Sequence, residues 1–118
     1  MAYSVRFQPG LNLLDITWAG LFTAEEMNRY VEDCRDCWRR ERFSAGYRLR
    51  IVLSDDKPLP QDALTVLSNA FADYPAAGKI AMVTRSAIAR IQINRTMMVS
   101  HMKIFDTPEQ ALEWLLAG

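Results

Sequence analysis

Apolar and polar residues alternate along the first stretch of the chain. Tyr3, Val5 and Phe7 interleave with Ser4, Arg6 and Gln8, the period-two pattern of a strand with one buried face. Pro9-Gly10 signals a turn, after which Leu14, Ile16 and Trp18 alternate with Asp15 and Thr17. A β-hairpin is expected. Thr23 with Glu26 three residues on reads as a capping box, each side chain satisfying a backbone amide at a helix start. Met27, Tyr30, Val31, Cys34, Cys37 and Trp38 then recur at helical spacing, with Arg29, Asp33, Asp36 and Arg40 on the opposite side. This predicts a long amphipathic helix that buries Met27, Val31, Cys34 and Trp38 against a sheet.

The pattern continues through Arg48 to Leu53, a strand, into a polar loop with prolines from Ser54 to Pro60. Ala63, Leu64, Val66, Leu67, Ala70, Phe71 and Tyr74 predict a second helix, stopped by Pro75. Ile80-Ala81-Met82-Val83 is an unbroken apolar run, as in a central strand. A third helix is expected from about Ser86 to Val99, then a short strand at Lys103-Ile104-Phe105. Thr107-Pro108-Glu109-Gln110 reads as a second capping box, with proline where its missing N–H costs nothing. Ala111, Leu112, Trp114, Leu115 and Leu116 complete a last helix. The order β-β-α-β-α-β-α-β-α predicts one α/β domain over 1–118, with a mostly parallel sheet and an antiparallel hairpin strand at its edge. The polar positions Asp15, Thr17, Arg48 and Arg50 imply that one sheet face is only partly covered.

The hairpin ending Trp18-Ala19-Gly20, the capped helix at Thr23, the strand from Lys79 to Thr84 and the closing stretch from Ile104 to Leu115 together resemble the STAS superfamily, the anti-sigma-factor antagonist (SpoIIAA-like) fold. The resemblance covers nearly the whole chain. It implies a regulatory module that binds other proteins. In the signalling branch a serine followed by glycine, at the start of the second helix, is phosphorylated by a partner kinase. Here that start reads Pro58-Leu59-Pro60-Gln61-Asp62-Ala63, so the switch does not carry over. The lipid-transfer branch has further helices around a cavity that this chain lacks.

Composition narrows the function classes. Half of the 118 residues are hydrophobic, enough for a core without disulfides or metal, and 14 basic residues balance 14 acidic ones. A protein that neutralises several phosphates carries a basic excess, so nucleic acid is not an expected partner. Met1 to Phe7 lacks the features of a secretory signal, and no apolar run reaches the ~20 residues of a membrane span. A cytoplasmic protein is expected.

Candidate chemistry is sparse, and no cofactor or metal is expected. Cys34-x-x-Cys37 falls mid-helix on the apolar arc rather than at a helix N-terminus, which predicts buried, inert thiols. His101 is the only histidine, and its place between a helix and a strand predicts a turn role. Ser54, Asp55, Asp56 and Asp62 lie in or near a loop at the C-terminal end of a strand, where open α/β sheets place ligands, and are candidates to face a partner. Arg85-Ser86 starts a helix straight after a strand and is the candidate for an anion, with Ser86 also readable as a plain N-cap. On the third helix, ~100° steps put Ile88, Ile91, Met98 and Val99 on one arc, expected to face the sheet. Arg90, Ile93 and Met97 fall on the other side and are the candidate interface of a homodimer. The function expected is a non-enzymatic regulatory or protein-interaction module. The alternative is a small-ligand or anion-binding module using the loops after the parallel strands.

Overall fold

The computed structural model describes residues 3–20, 23–54, 76–96 and 100–117. The strands are β1 (Tyr3–Gln8), β2 (Leu13–Trp18), β3 (Arg48–Leu53), β4 (Lys79–Val83) and β5 (Met102–Phe105), and the helices α1 (Ala24–Glu41), α2 (Ala87–Thr96) and α3 (Pro108–Leu116). The five strands form one sheet in the order β1-β2-β3-β4-β5. β1 runs antiparallel to β2, and β2 through β5 run parallel. The α/β fold expected from the pattern is therefore the fold observed. The expected helix over Ala63 to Tyr74 lies outside the described residues, as do Asp55, Asp56, Asp62 and Met97.

The hairpin turn is a single 3-10 turn over Pro9–Leu11, closed by Asn12 in the left-handed region at φ 50°. Asparagine tolerates that conformation better than most residues. Further on, the loops leading into β3 and β4 touch. Gly46 sits at φ 92°, and a Cβ on Gly78 would lie 2.9 Å from the Gly46 carbonyl oxygen. Only glycine fits both positions.

Each sheet face has its own apolar cluster. On one face Leu14, Ile16, Trp18, Ile51, Leu53 and Met82 meet Met27, Tyr30, Val31, Cys34 and Cys37 of α1 and Ala89 and Ile93 of α2. Tyr30 lies edge-on to Tyr3 and Trp18, with centroids 5.3 and 5.7 Å away. The other face gathers Leu13, Ala81 and Val83 under Ala111 and Leu115 of α3. The period-two alternation of the strands divides their side chains between these two clusters.

The capping box at Thr23 forms in both directions, and α1 ends at Arg42 in the left-handed region. Met27, Val31 and Cys34 are buried as expected. Trp38, expected to be buried, is only half-buried against the core, and its indole N–H donates to the Phe43 carbonyl at 3.0 Å. At α3, Pro108 occupies the first turn and the Thr107 hydroxyl accepts from the Gln110 amide.

The partly covered face has a specific construction. The last turn of α3 holds no basic residue of its own. Arg48 donates from Nε to the Leu115 carbonyl at 2.8 Å and from Nη1 to the Leu11 carbonyl at 2.7 Å. Lys79 donates to the Trp114 carbonyl at 3.0 Å and lies 4.8 Å from its ring centroid. Sheet cations thus serve the unpaired carbonyls and negative dipole end of the helix. No helix among the described residues is long and apolar enough to cross a membrane.

The face assignment of α2 is a correction. Ile93 is fully buried at 0% exposure, whereas Ile88 and Ile91 are 58% and 53% exposed. Ile88 and Ile91, expected to face the sheet, face solvent, while Met98 and Val99 of the same expected arc lie outside the described residues. The physical reason is close contact: Ala89, with Ile93, is the side that packs into the core, and a small residue lets the helix approach closely. Counting large apolar residues gave that side too little weight. Ile93 is therefore not a homodimer contact.

Candidate functional site

α2 leaves the C-terminal end of β4 on one sheet face, and α3 leaves β5 on the other. The diverging helices open a crevice of the kind that binds ligands in open α/β sheets. Its polar groups are mostly engaged within the chain. Thr84, 1% exposed, accepts from the Ser86 amide at 3.1 Å through Oγ1. Ser86 Oγ accepts from the Ala89 amide at 3.1 Å, which makes it an N-cap. Arg90 donates to Asp106 at 2.8 Å and lies 3.5 Å from the Thr84 carbonyl oxygen. Of the Arg85-Ser86 pair, only Arg85 presents an exposed guanidinium with no ion-pair partner among the described residues. The structure brings the two residues together at the helix start, and the serine hydroxyl is spent on the cap.

An open groove of about 630 Å³ runs from this crevice along β5 and α3. Arg90, Phe105, Asp106, Glu113 and Trp114 are among the residues that line it. Lys103 and Lys79 both flank the Trp114 ring, so its π face already has cationic neighbours.

Ser54 ends β3. Its amide and its hydroxyl both donate to the Trp18 carbonyl, at 2.8 and 3.0 Å. The hydroxyl thus ties the start of the loop to the neighbouring strand.

The thiols are buried. Burial pushes Cys34 up from 9.0 to about 12, and burial also raises Cys37 against the opposing effect of Arg40. A thiol held protonated is a poor nucleophile and a poor metal ligand. Among the described residues no group of three or more His, Cys, Asp and Glu side chains could hold a metal ion. His101 is exposed in a turn, where its carbonyl accepts from the Ile80 amide at 3.0 Å. Tyr3 donates its hydroxyl to Asp33 on α1, and burial followed by that carboxylate raises it to about 12.

Among the described residues the most exposed apolar surface is on α2. Ile88 and Ile91 stand one turn apart, and Arg95 shares their side of the helix. Sequence reasoning missed this pair because it placed them inside. It also missed the sheet cations under α3, although Arg48 and Arg50 at period two had marked a polar strand face. The chain matches no protein-family model and no curated protein sequence.

Proposed function

We propose that this chain is a protein-interaction module of STAS-like type, cytoplasmic and without catalytic chemistry of its own, with α2 as its contact helix. The observation that carries this reading is the exposure of Ile88 and Ile91, at 58% and 53%. One exposed apolar residue is ordinary. Two large apolar residues on adjacent turns form a patch rather than a scatter, and the arginine beside them is of a type enriched at contact surfaces. The buried thiols and the hydroxyls committed to helix caps support a role in binding rather than bond-making.

Site-specific photo-crosslinking in the native cell tests it. A photoreactive residue at position 88 or 91 is expected to capture a protein, and one at Asn28, exposed on α1, is not. Equal or absent capture from all three positions overturns the reading.

A further inference from the structure

We infer that the partner of α2 is a second copy of this chain, whose α3 helix packs against it. This rests on the contact-helix reading above and adds the identity of the partner. From Thr84 to Thr96 the chain carries Arg85, Arg90 and Arg95 and no carboxylate. From Thr107 to Ala117 it carries Glu109 and Glu113 and no basic residue. Arg90 is already paired with Asp106. Arg85 and Arg95 on one side, and Glu109 and Glu113 on the other, form no ion pair with any described residue. The apolar surface divides the same way. Among the described residues the exposed large hydrophobics are Ile88 and Ile91 on α2 and Leu116 on α3. A basic apolar helix and an acidic apolar helix thus both lack ion-pair partners among the described residues and leave apolar side chains exposed.

The two helices belong to opposite faces of the sheet, so these surfaces meet only between chains. Other pairings are poorer. Packing α2 on its own copy sets arginine against arginine. The outer face of α1 pairs its charges locally, as in Glu25–Arg29 and Asp36–Arg39, and holds no exposed large apolar residue. Because the two surfaces face opposite ways, each α2 meets the α3 of the next chain, a head-to-tail contact that uses both surfaces and adds chains one after another. Apolar contact supplies the affinity, and the charges set the pairing and its salt dependence.

Light scattering coupled to size exclusion on the full chain, from micromolar to millimolar, reads this directly. The mass is expected to rise with concentration from 13.5 kDa through twice that value and beyond. Ile91→Asp and Leu116→Asp are each expected to weaken association at least about tenfold, the equivalent of losing one isoleucine from an apolar contact. Their thermal melts are expected to stay unchanged, since both positions are exposed. Arg95→Glu alone and Glu113→Lys alone are expected to be monomeric, and an equimolar mixture of the two to associate, because both contacts are then again between opposite charges. A monomer mass throughout overturns the inference, as does a mass that stops at the dimer, an assembly indifferent to Ile91→Asp, or a mixture that stays monomeric. Crosslinks from position 91 to a different protein, with the pure chain monomeric, overturn self-pairing and leave the contact helix standing. No crosslink overturns both.

Discussion

Arg50 of β3 grips Asp15 of β2 with two hydrogen bonds, Nε to Oδ1 at 3.0 Å and Nη2 to Oδ2 at 2.7 Å. The two residues are register partners in adjacent parallel strands, with side chains 13% and 22% exposed. The remaining guanidinium nitrogen Nη1 donates to the Pro108 carbonyl at 3.1 Å, so the pair also anchors the start of α3. A fork that satisfies two oxygens at once holds geometry better than a lone ammonium would. Arg50→Lys is therefore expected to lower stability by about 1 kcal/mol, and Arg50→Ala by about 2 kcal/mol, because Asp15 is left without its charge partner in a mostly buried place. Urea midpoints for the two variants check the order. An Arg50→Ala variant as stable as the parent would show that the pair only decorates the sheet.

The orientation of α2 has a stability signature. Ile93→Ala is expected to cost about 2–4 kcal/mol by opening a cavity in the core. Ile88→Ala and Ile91→Ala are expected to stay within about 0.5 kcal/mol of the parent. Thermal melts at a concentration low enough to keep the chain monomeric measure all three.

The buried thiols predict an alkaline weakness. Cys34 is raised from 9.0 to about 12 in the folded chain, so its contribution is fully present below the unfolded value and is lost as pH rises from there through the folded one. Cys37 and Tyr47 are raised by burial too and act in the same direction. Stability is expected to fall from about pH 9 upward, by at most about 1.4 kcal/mol per pH unit for each such group. Denaturant midpoints across that range are expected to fall less steeply in a Cys34→Ala variant. At neutral pH a thiol reagent is expected to label Cys34 only on unfolding.

Ser86 distinguishes a cap from an anion site. Ser86→Ala is expected to cost about 1 kcal/mol, and Ser86→Asp to retain the cap. Inorganic phosphate is expected to leave the melting temperature of the parent unchanged. A phosphate-dependent rise abolished by Arg85→Ala would assign the crevice to an anion instead.

Part of the site was legible in single residues. Thr23 with Glu26 and Thr107 with Pro108 marked two helix starts, because caps act within one turn of chain and need no tertiary partner. The burial of Cys34 followed from its place on the apolar arc. Trp38 sits at the edge of that arc, half-buried, and its indole N–H finds its acceptor in a carbonyl five residues away.

The sequence by itself determined the strands, the order of the elements and the class of sheet, because alternation and helical spacing are local periodicities that burial of one face imposes. Only the tertiary structure decided which arc of α2 turns inward. That helix offers apolar residues on both sides, so its own pattern balances, and the close fit of Ala89 and Ile93 against the core breaks the tie. The same holds beneath α3, where Arg48 and Lys79 reach carbonyls at positions 115 and 114. Such contacts join residues far apart in the chain, and no local pattern encodes the distance between them.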